Sequence, residues 1–277
     1  MSDSTRLPVR KTYKLYIGGA FPRSESGRSY PVTAPSGEVV HAAQASRKDV
    51  RDAVVAARSA FPGWSGATAY NRGQVLYRIA EMLEGRREQF VAYTSAGEVD
   101  AAIDRWVHYA GWADKYAQVV GATNPVAGPY FTFSLPEPTG VVAAIAPAES
   151  SLLGLVSVVA PIVATGNTAV VVASPERPLP AISFAEVLAT SDLPGGVINL
   201  LTGYPAELAP WLAAHRDVNA IDLTGAAPGA RADLQAAAAD NVKRVYVPRS
   251  TDWREPPGLS RLNAFVETKT VWHPIGV

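Results

Sequence analysis

Residues 140–176 read GVVAAIAPAESSLLGLVSVVAPIVATGNTAVVVASPE and contain three apolar runs. The first run stops at Pro147, the second ends at Ala164, and the third begins at Thr168, just after a Gly-Asn pair. Near-continuous apolar runs are typical of a parallel sheet that helices cover on both faces, and glycine after the middle run is a helix stop signal. The stretch therefore predicts a strand, a buried helix and a second strand, which together form a βαβ unit.

A membrane-spanning helix is the competing interpretation of this stretch. Such a helix needs roughly 18 unbroken apolar residues, and Glu149 and Pro161 interrupt the run. The chain has 25 basic and 25 acidic residues, so its zero net charge offers no attraction to nucleic acid or to an anionic membrane. No apolar stretch follows the basic residues of the opening MSDSTRLPVRKTYK, so we expect no secretory signal and a cytoplasmic location.

The chain of 277 residues contains no cysteine. Disulfide bonds, thiolate metal sites and a cysteine nucleophile are therefore excluded. The four histidines, His41, His108, His215 and His273, are widely separated and lack the spacing of metal ligands. We expect no metal site, and we expect these histidines to lie on the surface or to pack in the core.

The part of the chain before residue 140 is predicted to be mainly helical. Lys14–Phe21 alternates toward a Gly-Gly turn, and an extended piece around Tyr30–Val32 is a candidate to pair with it in a hairpin. Ser46 followed by Asp49 resembles a capping box and predicts the start of a first helix. The remaining elements predicted here are two helices and a strand, over residues 69–96, 99–119 and 130–135.

Helical and extended patterns alternate after the βαβ unit. The predicted helices cover residues 180–190, 206–214 and 229–239, and the predicted strands cover 196–201, 219–223 and 244–247. Strands separated by helices of this length form a parallel, doubly wound sheet of about five strands, with a ligand crevice at the strand carboxyl ends. A Pro-rich link over residues 250–259 ends the pattern, and residues 263–272 alternate as a half-buried strand does.

The order of these segments resembles the aldehyde dehydrogenase superfamily. The motifs that carry the resemblance are LYIGGAF (15–21), AARSAFPGW (56–64), HYAGWAD (108–114), PEPTGVVAAIAP (136–147), GNTAVVV (166–172), LPGGVINLLTG (193–203) and LTG (223–225). They extend to about Val247, and the closing VETKTVW, residues 266–272, resembles the terminal strand of the family's oligomerisation flap. The resemblance implies an α/β fold, with a Rossmann-like doubly wound parallel sheet, N-terminal helices and a small β oligomerisation flap. It also implies a truncated homologue, because the family's catalytic domain has no counterpart.

The resemblance divides the chain into four parts. Residues 1–129 are expected to hold the N-terminal hairpin and the helical part of the cofactor-type domain, and residues 130–139 a flap strand. Residues 140–249 are expected to form the Rossmann-like cofactor-type domain. Residues 250–277 are expected to supply a linker and the C-terminal oligomerisation strand.

The resemblance implies that no catalytic residue of the family is present. Glu149 stands where the family has an Asn whose amide holds the oxyanion, and a carboxylate there repels a developing negative charge. Pro248 stands at the position of the general-base Glu and has no acid–base chemistry. The nucleophilic thiol belongs to the absent domain. Glu149 is then either a loss without replacement or a partner for a basic group.

The resemblance also implies a vestigial cofactor site at five positions. They are Pro147, Glu176, Gly203, Thr224 and Gly225. Glu176 matches a residue that hydrogen-bonds ribose hydroxyls, but Ala173 and Ser174 stand where the family has a lysine that reaches the adenosine ribose. We therefore expect no cofactor, or only weakly bound NAD. The alternative interpretation is that the glycines are present because their turns need positive φ.

These observations predict a non-catalytic aldehyde dehydrogenase-like subunit, a structural or regulatory partner of a full-length aldehyde dehydrogenase paralogue in a hetero-oligomer. Two alternatives stay open: an NAD(P)-dependent aldehyde oxidoreductase component whose chemistry a partner subunit completes, and a nucleotide-binding sensor. In the family, the flap of one subunit adds its strands to the catalytic domain of a neighbour. The chain has the expected flap pieces, Lys14–Phe21, Tyr130–Pro136 and Asn263–Trp272, but lacks the domain that receives them. We expect neither a nucleic acid nor a membrane as partner.

Overall fold

The structure is a computed structural model that describes residues 9–248 and 252–276. Within these ranges the strands are β1 (Ser29–Thr33), β2 (Val39–Ala43), β3 (Ala122–Thr123), β4 (Tyr130–Pro138), β5 (Val141–Ile145), β6 (Thr168–Val172), β7 (Ile198–Leu201), β8 (Ala220–Asp222), β9 (Arg244–Tyr246) and β10 (Val266–Pro274). The helices are α1 (Arg47–Gly66), α2 (Ala69–Glu84), α3 (Arg87–Val91), α4 (Ala96–Ala113), α5 (Tyr116–Val120), α6 (Leu153–Ala164), α7 (Leu179–Leu188), α8 (Pro205–Ala214), α9 (Arg231–Ala239) and α10 (Ser260–Ala264). None of these helices is long and apolar enough to cross a membrane.

A five-stranded parallel sheet in the order β7-β6-β5-β8-β9 forms the centre of the fold. Strands β5 and β6 are buried at every position, and α6 is buried along its whole length. An element that is enclosed on all sides must be apolar all round, which is why the βαβ stretch has no polar face. The predicted α/β fold class and the five-stranded parallel sheet are confirmed.

The side chains of β5 alternate between two cores. Val142 and Ala144 belong to the larger core, which also contains α2, α4 and α6. Val141, Ala143 and Ile145 belong to the core on the opposite face, under α1 and α8. Successive residues of a strand point to opposite faces, so helices cover the central strand on both sides.

The capping box predicted at the start of the first helix is confirmed. The hydroxyl of Ser46 accepts from the backbone N–H of Asp49, and the Asp49 carboxylate accepts from the backbone N–H of Ser46. The alternation of helices and strands predicted after the βαβ unit is also confirmed, with small shifts at the element ends.

The prediction of two long helices over residues 69–96 and 99–119 is wrong, because this region contains four shorter helices, α2 to α5. Helix α2 is capped at Gly85. Helix α4 begins after Ser95, whose hydroxyl accepts from the backbone N–H of Glu98. Local capping groups set these helix ends, and the spacing of apolar residues gives no information about such groups.

The hairpin predicted between Lys14–Phe21 and Tyr30–Val32 is wrong. Strand β1, which contains the second piece, pairs antiparallel with β2. Within the first piece, Tyr16 forms an antiparallel bridge with Leu200, so this piece lies along the β7 edge of the central sheet. The first piece therefore covers an open sheet edge and is not part of the flap.

A separate three-stranded sheet in the order β10-β4-β3 forms the flap. Strand β10 pairs antiparallel with β4 along its whole length. The strand predicted over residues 263–272 begins later, as β10 at Val266, because α10 extends to Ala264. The predicted boundaries at residues 1, 249–250 and 277 lie outside the described residues.

The buried side chain of Asn167 joins three parts of the chain. Its Oδ1 accepts from the backbone N–H of Gly140 at 2.8 Å. Its Nδ2 donates to Oγ1 of Thr165 at 2.9 Å and to the carbonyl oxygen of Phe265 at 2.8 Å. Asn167 thus holds together the start of β5, the end of α6 and the residue that precedes β10.

Replacing this side chain should destabilise the whole fold. Asn167→Ala leaves the buried N–H of Gly140 without a partner, which costs about 1–3 kcal/mol. It also removes the bonds to Thr165 and to the carbonyl of Phe265, each worth about 0.5–1.5 kcal/mol, although that carbonyl still accepts from the N–H of Thr139 at 3.2 Å. We expect the free energy of unfolding, measured by urea denaturation, to fall by about 2–5 kcal/mol. The control Asn71→Ala, at an exposed position of α2, should change it by about 0.5 kcal/mol or less. Equal losses in the two variants would contradict the role of Asn167.

Candidate functional site

The order of the central sheet reverses between β5 and β8. From β5 the chain first adds β6 and β7 on one side and then β8 and β9 on the other. Ligands of open parallel sheets bind at such a switch point, outside the strand carboxyl ends. Pro147 follows β5, and Thr224 and Gly225 follow β8, so three of the predicted cofactor residues meet here. The backbone N–H of Gly225 donates to the carbonyl oxygen of Ile145 at 2.9 Å.

The two glycines among the predicted cofactor residues are required for different structural reasons. Gly203 has φ of +138°, a conformation that favours glycine. Gly225 does not have positive φ, but a Cβ there would lie 2.1 Å from the carbonyl oxygen of Ala146. Positive φ therefore accounts for a glycine at position 203 but not at position 225, where close backbone approach excludes any side chain.

Arg261 of α10 fills the β8 side of the crevice. Its Nη1 donates to Oδ2 of Asp222 at 2.7 Å, and its Nη2 donates to Oγ1 of Thr224 at 3.2 Å. Asp222 is fully buried, and Arg261 is 7% exposed. The guanidinium carbon lies 5.0 Å from the ring centroid of Tyr246 and 5.4 Å from that of Trp253. The chain's own arginine thus engages the threonine that was predicted to face a cofactor.

The carboxylate of Asp222 is satisfied within the chain. The backbone N–H and the hydroxyl of Thr224 both donate to Oδ1, while Arg261 donates to Oδ2. Burial raises the pKa of the Asp222 carboxyl, and the charge of Arg261 and the bonds from Thr224 oppose that rise. The ionised form in this buried position therefore relies on the arginine.

The first amide groups of α6 are also bonded within the chain. The carboxylate of Glu98 accepts from the backbone N–H groups of Leu152 and Leu153 at 3.1 and 3.2 Å, and from the Ser150 hydroxyl at 3.1 Å. Ser150 in turn accepts from the N–H of Gly154 at 2.9 Å. A helix N-terminus attracts phosphate through these amide groups when they are open. A carboxylate of the same chain occupies them here.

Glu149 anchors the segment that crosses the crevice. Its carboxylate accepts a hydrogen bond from Nε1 of Trp253 at 3.0 Å. Within the described part of the chain its hydrogen-bond partner is thus an indole and not a basic group. We call residues 252–265 the covering segment, because Trp253 binds beside the end of β5 and Arg261 binds at the end of β8.

The two other predicted cofactor residues lie farther along the same sheet edge. Gly203 follows β7, and Glu176 follows β6 and lines a groove of about 500 Å³ together with Glu98 and Arg177. Glu176 is exposed, as a residue that binds a ribose needs to be. Ala173, one of the two residues at the position of the family's lysine, is buried and neutral.

Sequence reasoning missed Arg261, Trp253 and Glu98 as residues of this site. Trp253 was an available signal, because a large aromatic side chain inside a Pro-rich link has much apolar surface to bury. No local pattern indicates the partner of Arg261, since Asp222 is 39 residues away in the sequence.

The flap presents an uncovered apolar surface. Its exposed apolar side chains, with 44% to 57% of their surface accessible, are Tyr130, Phe131, Leu135, Trp272 and Ile275. The register pairs Phe133 with Val271, so these two share a face of the flap with Phe131 and Leu135. Among the described strands, β10 pairs with β4 alone and forms one edge of this sheet. Such an edge and such a face are typical of surfaces that another chain covers.

Removing the crevice arginine should give a pH-dependent loss of stability. Arg261→Met leaves the Asp222 carboxylate buried without a cation, so we expect the free energy of unfolding at pH 7 to fall by about 3–5 kcal/mol. The pKa of Asp222 then rises further above that of the unfolded chain. The folded variant binds the proton more readily than the unfolded one, so its deficit should shrink as pH falls toward the ordinary Asp range and grow as pH rises.

Urea titrations at several pH values measure this effect. The matched control is Arg87→Met, which removes an exposed ion pair with Asp100 and should change stability little at any pH. A deficit of Arg261→Met that is independent of pH, or that equals the control's, would contradict the role of the buried pair.

The profile of the Aldehyde dehydrogenase family matches residues 21–248 of the chain. Aldehyde dehydrogenase, cytosolic 1, of Elephantulus edwardii is 32% identical over 257 residues, which cover 87% of this chain and 50% of that protein. Retinal dehydrogenase 2 of Homo sapiens is 34% identical over 260 residues, which cover 88% of this chain and 49% of that protein. The chain thus spans about half the length of the curated relatives it matches.

Solved structures agree with the sequence matches. A putative aldehyde dehydrogenase from Burkholderia cenocepacia superposes with a TM-score of 0.80 at 30% identity, covering 86% of this chain and 50% of that one. Betaine aldehyde dehydrogenase from Staphylococcus aureus, solved in complex with NAD+, gives a TM-score of 0.79 at 27% identity, covering 85% of this chain and 49% of that one. The chain therefore belongs to the aldehyde dehydrogenase family.

Proposed function

We propose that the chain is a non-catalytic aldehyde dehydrogenase-like subunit, a structural or regulatory partner of a full-length aldehyde dehydrogenase in a hetero-oligomer. The observation that carries this proposal is the flap, whose edge strand β10 and apolar face have no cover among the described residues. An exposed strand edge recruits a further strand from another chain, and an exposed apolar face gains from burial. The proposed location of the assembly is the cytoplasm, where the chain would meet its full-length partner.

The residues at the positions of the family's chemistry support a non-catalytic role. The chain has no cysteine to form a thiohemiacetal. Pro248 cannot act as a general base. Glu149 stands at the oxyanion position and is bonded to Trp253, and its negative charge opposes the charge that develops in aldehyde oxidation.

The covering segment supports the absence of a cofactor, or weak binding of NAD. A related protein holds NAD+, but here Arg261 engages the hydroxyl of Thr224 and Trp253 binds Glu149 beside the end of β5. The lysine that reaches the adenosine ribose in the family is replaced by the buried Ala173 or Ser174. To bind here, NAD would have to displace the hydrogen bonds that Arg261 and Trp253 make within the chain. It would also lack the charged contact that the family's lysine makes to the adenosine ribose.

The first prediction from this proposal concerns turnover. The purified chain should form no NADH from NAD+ and a simple aldehyde, because hydride transfer needs the thiohemiacetal that a thiol supplies. Glu149→Asn should not restore activity, since it provides an amide to a site that lacks a thiol and a base. NADH formation is followed by absorbance, with a full-length family member as positive control. A rate that exceeds the buffer blank and scales with chain concentration would refute the non-catalytic role.

The second prediction concerns NAD affinity. Loss of one charge-assisted contact weakens binding by about 1.5–3 kcal/mol, or roughly tenfold to hundredfold, and the filled crevice weakens it further. Titration calorimetry on the isolated chain should show weak binding or none. Micromolar or tighter binding would contradict this expectation and would favour a nucleotide-binding sensor over a structural subunit.

The third prediction concerns assembly. The chain, co-expressed with the full-length aldehyde dehydrogenases of its own organism, should co-purify with one of them as a complex of defined native mass. The double variant Phe131→Lys, Leu135→Lys places two charges on the apolar flap face and should abolish that complex. Point substitutions are preferred, because deletion of residues 264–277 would also remove the buried Phe265, to which Asn167 is bonded.

The control for the assembly test is Tyr77→Lys on α2, where the tyrosine is 51% exposed and belongs to a helix and not to a flap strand. This variant should assemble as the unmodified chain does. Assembly that survives the double substitution, or an unmodified chain that stays a monodisperse monomer beside every full-length homologue, would disprove the proposed partnership.

A further inference from the structure

A second cavity, of about 170 Å³, lies between α4 and the covering segment, beside the crevice. The side chains that matter for its chemistry are those of Arg105, Tyr109, Tyr246, Trp253 and Arg261. Its volume is several times what one water molecule needs, and it is far too small for a nucleotide. None of the sequence motifs pointed to this cavity, and the proposed function does not use it.

Arg105 brings to the cavity a buried positive charge that no described acidic residue balances. Arg105, 8% exposed, makes hydrogen bonds to neutral oxygens, namely Oγ of Ser157 at 2.8 Å and the carbonyl oxygens of Trp253 and Glu255 at 2.8 and 3.1 Å. The charge of Arg261 is balanced by Asp222, its partner in the buried ion pair.

The acidic residues at the cavity do not supply the missing charge. Asp252 and Glu255 line its mouth and are exposed, and neither forms an ion pair with Arg105 or Arg261 within the described ranges. Burial lowers the pKa of the Arg105 guanidinium, and the positive charge of Arg261 lowers it further. An arginine stays charged in proteins even so, and a buried charge is costly unless an opposite charge pairs with it.

The hydroxyl of Tyr109 is a second, independent feature of the cavity. Tyr109 has no exposed surface, its side chain lines the cavity, and its hydroxyl has no hydrogen-bond partner among the described residues. Burial raises the pKa of Tyr109 to about 12, so the hydroxyl keeps its proton at neutral pH and remains a donor. Buried donors are nearly always paired in folded proteins, so each exception requires a specific reason.

We propose that this cavity binds a small carboxylate monoanion, whose oxygens accept hydrogen bonds from the Arg105 guanidinium and the Tyr109 hydroxyl. One unbalanced positive charge calls for one negative charge, and the planar guanidinium matches a carboxylate group. The rings of Tyr246 and Trp253 contribute to the apolar part of a mostly polar lining, which suits only a short hydrocarbon tail. The ligand class is thus a short-chain carboxylate such as acetate or butyrate.

Thermal unfolding of the whole chain tests this proposal. Sodium acetate and sodium butyrate are titrated at constant ionic strength, balanced with sodium chloride, and sodium phosphate is run in parallel. Acetate and butyrate should raise the Tm in a saturable manner, by about 5 °C at one hundred times the dissociation constant. Phosphate should have a clearly smaller effect, since its second charge has no counter-charge in the cavity.

Two variants and one control assign the effect to the cavity. Arg105→Met should abolish the response to carboxylates. Tyr109→Phe removes a single unpaired hydroxyl, so without ligand it should unfold at the same or a higher temperature than the unmodified chain. It should bind acetate roughly tenfold or more weakly, as loss of a charge-assisted hydrogen bond implies. Tyr116→Phe, which removes a hydroxyl bonded to Asn263 outside the cavity, should respond as the unmodified chain does.

Three results would overturn the proposal. The first is the absence of a saturable response to both carboxylates in the unmodified chain. The second is a response to phosphate as large as that to acetate. The third is an unchanged response in both Arg105→Met and Tyr109→Phe.

Discussion

The buried ion pair between Asp222 at the end of β8 and Arg261 of α10 joins the central sheet to the covering segment. A carboxylate without exposed surface requires a cation beside it, so the position of Arg261 is tightly constrained. Because α10 leads directly into β10, the same ion pair also constrains where the flap strand begins relative to the central sheet. One interaction thus couples the closed crevice to the surface on which the proposed assembly relies.

Two carboxylates at the crevice are structural anchors in this chain. Glu149 holds Trp253 of the covering segment, and Glu98 binds the first amides of α6. A crevice at the switch point follows from the order of a parallel sheet, but its occupant depends on side chains from other parts of the chain. In this member of the aldehyde dehydrogenase family, side chains of the covering segment occupy the crevice. The proposed function therefore rests on the flap and not on the crevice.

Closing the crevice also creates a new chemical environment. The covering segment brings Arg261 close to Arg105, and the buried carboxylate of Asp222 pairs with Arg261 but not with Arg105. The result is a small cavity in which, among the described residues, the Arg105 charge has no counter-charge and the Tyr109 hydroxyl has no hydrogen-bond partner. The segment that fills the crevice thus also supplies most of the lining of this small cavity.

Local sequence patterns were enough to predict β5, α6 and β6, because apolar periodicity depends on neighbouring residues and on burial. The meeting of Pro147 with Thr224 and Gly225 was also predictable, since parallel strands bring their carboxyl ends to one edge. The pairing of Tyr16 with Leu200 and of Arg261 with Asp222 was not, because each joins residues that are distant in sequence. Such contacts depend on which sheet edge is open and which buried charge lacks a partner, and these conditions exist only after the chain has packed.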